Sequence, residues 1–316
     1  MKLASFRAGG ATRVGVALED GTLAEVAEAR GDQLGWIAAC GAGGAGAPDL
    51  RHAARFAVAQ VEWLPPVLTP SKIVCLALNN RALDAVKLRA PGDHPAFFLK
   101  SQAALAAHGQ SIELRPAYGL THPEPELAVV IGRRLRHATP AEALLAVFGY
   151  TIMNDITSVG MREEDTFTFR YFRPDGHGGT VAAEGHSTYP GRYKGSDTFA
   201  PLGPFVTTAD AVPDPQSLAV RCWVGDQLVA DDNTCNYVYG VAEALAHVSR
   251  TLTLLPGDIV SMGTAVRGAD SGGAAGAIPP ITRAGLVGVP GPVTVEIEQL
   301  GRLSNPLLTL PDLPRW

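Results

Sequence analysis

Three acidic residues, Glu124, Glu126 and Asp155, combine type and spacing in a way that can do chemistry. Glu124-Pro125-Glu126 runs straight into an apolar stretch at 127–131, so both glutamates are predicted at the start of a β-strand. The two-residue period of a strand then turns both carboxylates to one face. Pro125 cannot donate to a ladder, which places it at a strand beginning or on an edge. Two glutamates on a strand face more often describe a solvated surface than a site, and the third carboxylate argues the other way. Three carboxylates at one spot repel one another unless a cation neutralises them. An all-oxygen set suits Mg²⁺, Mn²⁺ or Ca²⁺ rather than zinc.

The elements between these residues must bring Asp155 back to the glutamates. After Gly132 the chain turns, and Thr139-Pro140-Ala141-Glu142 reads as an N-cap, a proline at the first helical position and a capping-box glutamate. A short helix is predicted to about residue 148. A second strand, 149–154, then delivers Asp155 at its end.

With 316 residues the chain is long enough for one large domain or two. Hydrophobic residues at 46% and charged residues at 18% describe a globular protein. A formal net charge of -5, without a basic stripe interleaved with aromatics, argues against a nucleic-acid partner. Cys40, Cys75, Cys222 and Cys235 form no Cys-x-x-Cys pair and read as reduced thiols of a cytoplasmic protein. The first residues lack the apolar core of a signal peptide, and no run of 18 apolar residues offers a membrane span.

Short, partly alternating segments at 3–6, 12–18 and 22–27, with Asp20-Gly21 as a hairpin turn, predict a small N-terminal β domain over residues 1–65. Residues 33–40 look helical and lead into the glycine-rich stretch 41–46. That stretch follows a helix rather than a strand, so it is a flexible connection and not a dinucleotide loop. Prolines 65, 66 and 70 mark an extended linker at 61–70, and the main domain occupies 66–316. It opens with a buried strand at 72–78, followed by a short helix or lid at 81–89 and a strand at 95–100.

Residues 167–193 are long, polar and aromatic without clear periodicity, and are expected to form a functional loop carrying His177 and His186. Each histidine is a candidate acid or base on a mobile segment, or else a solvated loop residue. Further on, strands at 219–224 and 228–230 flank Gly225-Asp226, 238–252 reads as an amphipathic helix, and strands follow at 259–262 and 293–297. Ser271 to Gly276 is a small-residue loop. Many short strands with few helices argue for a β-rich α+β fold.

Five pieces in this order carry a resemblance: Glu124-Pro-Glu126 with its strand and Gly132; Gly149-Tyr150 through Asn154-Asp155; Tyr193-Lys194-Gly-Ser-Asp197-Thr198-Phe199 with Pro201-Leu-Gly-Pro204; Leu255-Pro-Gly-Asp258; and Gly263-Thr264. Together they resemble the fumarylacetoacetate hydrolase family. The resemblance implies a mixed β-roll main domain, a homodimer, and Mg²⁺ or Mn²⁺ held by Glu124, Glu126 and Asp155. It also places Lys194 and Thr264 as catalytic residues at the substrate's carboxylate or enolate. Asp197, Thr198 and Gly263 stand beside them.

A 2-oxo acid or β-dicarbonyl compound chelating the metal would form a stabilised enolate, with Lys194 adding positive charge where negative charge develops. This step serves carbon–carbon hydrolysis, decarboxylation and keto–enol isomerisation alike. Hydrolytic members carry an Asn-Tyr-x-x-His-x-x-Glu pattern whose His-Glu pair activates water. Here the place reads Asn79-Asn80-Arg81-Ala82-Leu83-Asp84-Ala85-Val86, so leucine and valine stand for histidine and glutamate. Asp84 joins His177 and His186 as a possible acid or base. Arg162, where the family motif also differs, is a substrate contact or a solvated arginine.

The family base rate puts hydrolysis of a small acylpyruvate-like or β-diketo acid first. The missing pair keeps open a decarboxylase or isomerase of a 2-oxo dicarboxylic acid. It also leaves open a non-catalytic protein that binds a 2-oxo acid.

Overall fold

The computed structural model describes residues 1–31, 33–40, 47–86, 94–267 and 284–314. The glycine-rich stretch 41–46, the end of the segment expected at 81–89 and the small-residue loop 271–276 lie outside the described residues. The remainder is a strand-rich mixed α+β fold, as the residue pattern predicts.

A sheet of twelve strands forms its backbone. In spatial order its main path runs Arg55–Ala57, Thr22–Glu25, Ala11–Ala17, Lys2–Ala8, Ala200–Thr208, Val147–Asn154, Pro125–Ile131, Ile259–Thr264, Ile73–Ala77 and Ala96–Lys100. Along this path pairing is antiparallel except between Ile259–Thr264 and Ile73–Ala77, which run parallel; off the path, Leu105–Ala106 also pairs parallel with Ala200–Thr208. A second sheet of five strands orders Gln227–Asn233, Ala219–Val224, Pro292–Ile297, Gly301–Thr309 and Ile112–Leu114.

Every residue of Pro125–Ile131 and of Val147–Asn154 is buried, because both faces of these central strands are covered. The period of two divides their side chains between two cores. Leu127, Val129 and Ile131 join the core with Val220, Val293 and Val295 of the second sheet, whereas Ala128 and Val130 join Ile73, Phe148, Met153 and Ile259 on the other side. Glu126 belongs to the row of Ala128 and Val130, and Asp155 to the row of Met153. The acidic residues thus finish rows that are otherwise apolar.

Pro125 pairs with Asn154 as the first residue of a central strand, so the beginning it was expected to mark is present and the edge is not. The helix Pro140–Leu145 starts with the expected capping box: Glu142 N donates to Thr139 Oγ1 at 3.3 Å and Thr139 N donates to Glu142 Oε2 at 2.8 Å. It stops earlier than expected, because residues from Val147 on are taken up by the strand.

Residues 1–65 are not set apart by a gap in the sheet. Lys2 and Leu3 pair with Thr207 and Val206 of the main sheet. Within the expected linker, Glu62–Leu64 is a short strand against Lys2–Ala8. Arg81–Val86 forms a 3-10 helix.

The segment expected as an aperiodic loop is instead an antiparallel ribbon, Thr166–Pro174 against Thr180–Thr188. Its signal is hidden because the strand Thr166–Pro174 is exposed along its whole length, so no buried face imposes alternation of apolar and polar residues. The turn is built by Asp175, whose Oδ1 accepts from His177 N at 2.7 Å and Gly179 N at 3.0 Å.

Candidate active site

Glu124, Glu126 and Asp155 converge, with one carboxylate oxygen from each lying within 4.8 Å of the others. Convergence comes from register. Asp155 N donates to the Glu124 carbonyl at 2.8 Å and Glu124 N to Asn154 Oδ1 at 2.9 Å, which locks the two strand ends together. The third strand, Ile259–Thr264, lies on the other side of Pro125–Ile131 and supplies polar groups to Glu126: Ser261 Oγ and Gly263 N donate to its Oε2, and Thr264 Oγ1 to its Oε1 at 3.1 Å. Thr264 Oγ1 also lies 3.1 Å from Glu124 Oε2, bridging the glutamates.

Two buried lysines face the cluster. Lys194 Nζ donates to Glu124 Oε2 at 2.6 Å and to Asp155 Oδ2 at 2.9 Å, and sits 5.1 Å from the centre of the Phe98 ring. Lys100 Nζ donates to Asp155 Oδ1. Asp155 is therefore held at both oxygens by ammonium groups, Glu124 shares one of them, and Glu126 meets hydroxyls and an amide but no ammonium within hydrogen-bonding distance among the described residues.

The protonation equilibria follow this unequal supply of positive charge. Burial, followed by the charges of Asp155 and Glu124, pushes the Glu126 carboxyl up to about 8. Burial also opposes ionisation of Glu124, but Lys194 and then His122 outweigh it and hold that carboxyl at about 2. Burial alone would lower the Lys194 ammonium; Asp155 and the two glutamates reverse this and keep it charged. Beneath the cluster, burial and then Asp155 drive the Cys75 thiol well above its ordinary value, which leaves it a neutral packing group.

This donor set fits a hard divalent cation. It offers only oxygens, which favours Mg²⁺, Mn²⁺ or Ca²⁺ over softer ions. Its least compensated member, Glu126, is a carboxylate whose ionisation a bound cation would favour.

The other expected site residues divide sharply. Gly263 and Thr264 lie in the cluster. Arg162, exposed on the short helix Val159–Glu164, is near enough for its charge to oppose protonation of His122. Thr198 is buried, but its Oγ1 accepts from Glu113 N at 2.9 Å, so the hydroxyl secures a neighbouring strand. Asp197, its neighbour in the chain, is exposed. His186 is exposed on the ribbon with Nδ1 2.9 Å from Thr168 Oγ1, and His177 is exposed at its turn. Asp84 is exposed on the 3-10 helix Arg81–Val86, and Leu83 packs against the apolar core rather than toward a carboxylate.

Two functional candidates escape the sequence reading. Lys100 closes the strand Ala96–Lys100, two residues after Phe98 and therefore on its face; the alternation was visible, but a strand-end lysine ordinarily reads as solvated. His122 is buried, with Nε2 3.9 Å from Glu124 Oε1 and Nδ1 3.2 Å from the Pro123 carbonyl. Burial, only partly offset by Glu124, lowers its pKa and keeps the ring neutral. Its position two residues before Glu124 was the available signal.

Comparison with known proteins agrees with this geometry. The C-terminal fumarylacetoacetate hydrolase domain matches residues 72–308. The chain is 31% identical over 206 residues to the mitochondrial oxaloacetate tautomerase Fahd2a of Rattus norvegicus, a match covering 65% of this chain and 59% of that protein's length. An uncharacterised protein of Archaeoglobus fulgidus is 32% identical over 247 residues, covering 78% of this chain and 81% of its own. Maleylpyruvate hydrolase from Sphingobium sp. SYK-6, solved in complex with manganese(II) and pyruvate, superposes with a TM-score of 0.70 at 26% identity, covering 98% of this chain and 99% of that one. The matched span contains all three converging carboxylates and both buried lysines: the chain belongs to the fumarylacetoacetate hydrolase family.

Proposed function

We propose that this chain is a divalent-metal-dependent keto–enol isomerase acting on a small 2-oxo dicarboxylic acid. The observation that carries the reading is the pairing of a buried carboxylate cluster with the Lys194 ammonium, while Leu83 stands where hydrolytic relatives place the histidine that activates water. Isomerisation needs enolate stabilisation and one proton transfer, but no activated water. The likeness to an oxaloacetate tautomerase points the same way.

In this reading Glu124, Glu126 and Asp155 hold Mg²⁺ or Mn²⁺, which when bound supplies Lewis-acid polarisation of the substrate's carbonyl. Lys194 places a permanent positive charge beside the same spot, favouring the enolate over the ketone. Lys100 fixes the orientation of Asp155 from behind. Arg162, whose charge reaches His122, is assigned the substrate's second carboxylate. His122 is assigned the proton transfer: with Nδ1 donating to the Pro123 carbonyl, Nε2 is the free base and faces the carboxylates.

A second reading is carbon–carbon hydrolysis of an acylpyruvate, favoured by the likeness to a maleylpyruvate hydrolase over nearly the whole chain. Incubation with Mn²⁺ or Mg²⁺ and either oxaloacetate or an acylpyruvate separates these cases. Faster interconversion of the enol and keto forms, without CO₂ and without cleavage, is the expected result. Release of pyruvate and a second acid would replace the isomerase with a hydrolase, and CO₂ release would replace it with a decarboxylase. If no candidate is consumed and oxalate with metal merely raises the melting temperature, the chain is a 2-oxo acid-binding protein.

A further inference from the structure

The strand Ile259–Thr264 loses its parallel partner before it reaches the site. Its ladder with Ile73–Ala77 ends at Ser261, opposite Cys75, whereas Gly263 and Thr264 lie beyond that point and meet Glu126. On its other side, Ala265 N donates to the Pro125 carbonyl at 3.0 Å. Hydrogen-bonded positions alternate in an antiparallel pair, so the Thr264 carbonyl, one residue earlier, points away from Pro125–Ile131. Without a strand to receive it, that carbonyl needs another donor.

The residues just after Ile73–Ala77 supply side chains in place of the missing ladder. Asn79 Nδ2 donates to the Met262 carbonyl at 2.8 Å, and Asn80 Nδ2 donates to the Thr264 carbonyl at 3.1 Å. An amide can do this only with its NH2 end toward the strand. For Asn80 that choice is made by Asp232, whose Oδ2 accepts from the same Nδ2 at 2.9 Å, and by Ala82 N, which donates to Asn80 Oδ1 at 2.9 Å.

Asn80 and Asp232 are both buried, and among the described residues no lysine, arginine or histidine forms an ion pair with Asp232. Hydrogen bonds meet its charge instead, and such bonds are stronger for an ionised acceptor. Oδ2 also accepts from Val266 N at 2.9 Å and Arg267 N at 3.3 Å, on the backbone directly beyond Thr264. Oδ1 faces its own loop, accepting from Asn233 N at 2.8 Å and Asn236 Nδ2 at 2.6 Å. With its lone pairs taken by these donors, the carboxylate is left to orient other groups rather than to bind a ligand.

We propose that Asp232 is a positioning residue of the site. Through Asn80 and the backbone of 264–267 it fixes Thr264, whose stiff β-branched side chain bridges Glu124 and Glu126. The proposal rests on the reading of those glutamates as metal ligands.

Calorimetry with Mn²⁺ and electron paramagnetic resonance of the bound ion, both on the intact protein well below its melting temperature, test it. Asp232→Asn is expected to raise the Mn²⁺ dissociation constant about 10-fold, as loss of an outer partner of a metal site does, and to alter the Mn²⁺ spectrum, which reports ligand geometry. Asn80→Ala should do the same. The double variant should bind no more weakly than the weaker single one, because both residues act along one path. Asn236→Ala removes a bond from the opposite oxygen, so it should lower the melting temperature and leave affinity and spectrum as in the parent.

A lower melting temperature with unchanged Mn²⁺ affinity and spectrum in Asp232→Asn would make the residue merely structural and overturn the proposal. So would equal weakening by Asn236→Ala, since cohesion of the loop would then be the cause. If Asp232→Asn does not fold, Asn80→Ala decides alone. A parent that binds no Mn²⁺ removes the metal reading and the proposal together, whereas variants that bind like a Mn²⁺-binding parent remove the proposal only.

Discussion

Lys100 Nζ donates to Asp155 Oδ1, and both side chains are almost completely buried. Such a pair costs desolvation of two ions, and removing one partner strands the other charge, typically at about 3–5 kcal/mol. Asp155 keeps Lys194 as a second partner, so Lys100→Met is expected to lower the stability of the metal-free protein by less than that, about 1–3 kcal/mol. Mn²⁺ should restore part of the loss, because the cation supplies a counter-charge to Asp155. Denaturant titration with and without Mn²⁺ measures both quantities. Equal destabilisation in the two conditions would show that Lys100 is only a packing element.

Lys194→Met separates binding from turnover. The ammonium lies among the carboxylates that hold the metal, so removing it should leave metal affinity unchanged or tighter, since a competing positive charge is gone. Turnover should fall by about 10²- to 10³-fold, the usual consequence of deleting one electrostatic stabiliser of a developing oxyanion. Calorimetry with Mn²⁺ beside steady-state kinetics reads the two effects. Loss of metal binding in this variant would make Lys194 a structural residue.

The raised carboxyl of Glu126 makes stability depend on pH. In the folded metal-free chain it holds its proton up to about 8, against an ordinary value of 4.5. Between those values the folded state carries a proton that the unfolded state has released, so the Glu126 contribution to stability is fully present below pH 4.5 and is lost as pH rises toward 8. Glu124, held at about 2, acts in the opposite sense and only below 4.5, where falling pH removes its contribution. A bound cation expels the Glu126 proton, so metal affinity should climb with pH and level off above about 8. Melting temperatures of metal-free and Mn²⁺-loaded protein should diverge steadily from pH 5 to pH 8. A constant gap would contradict the assignment of Glu126 as a ligand.

His122 is expected to matter for the proton and not for the metal. His122→Asn removes the base while keeping a small polar side chain, and should lower turnover by about 10²- to 10⁴-fold with metal affinity intact. Exchange of the substrate's C3 hydrogen with deuterated solvent, followed by NMR, reports the step directly. Exchange at the parent rate in the variant would assign the proton to another group.

The legible part of this molecule is the part governed by periodicity. The period of a strand put Glu124 and Glu126 on one face, the returning strand brought Asp155 back towards them, and the capping box at Thr139 was readable from its spacing alone. What escaped was decided by contacts distant in the chain. Lys100 is buried because Asp155, 55 residues later, neutralises it. That the Thr198 hydroxyl accepts from Glu113 N, 85 residues earlier, could not be read from the motif that contains it. The ribbon of residues 166–188 escaped for a different reason: both its faces are open, so selection for a buried row left no mark on it.

Gly263 offers the strictest test of how the site is held. Its φ of +95° lies where side chains are strained, and an added Cβ would come within 2.9 Å of Asn79 Cβ. Asn79 cannot retreat easily: its Nδ2 donates to the carbonyls of Tyr239 at 3.0 Å and Met262 at 2.8 Å, while its Oδ1 accepts from Tyr239 N at 2.8 Å. The strand must therefore move instead, carrying away the Gly263 N–H that donates to Glu126. Gly263→Ala is expected to cost about 1–3 kcal/mol from the backbone alone, to weaken Mn²⁺ binding about tenfold through loss of one hydrogen bond to a charged ligand, and to reduce turnover further. Gly109→Ala is the control, because Gly109 has a φ of +78° but no atom within 4 Å of its added Cβ. It should lose stability through backbone strain with metal affinity unchanged. Equal effects of the two substitutions on Mn²⁺ binding would mean that the contact with Asn79 does not hold Glu126 in place.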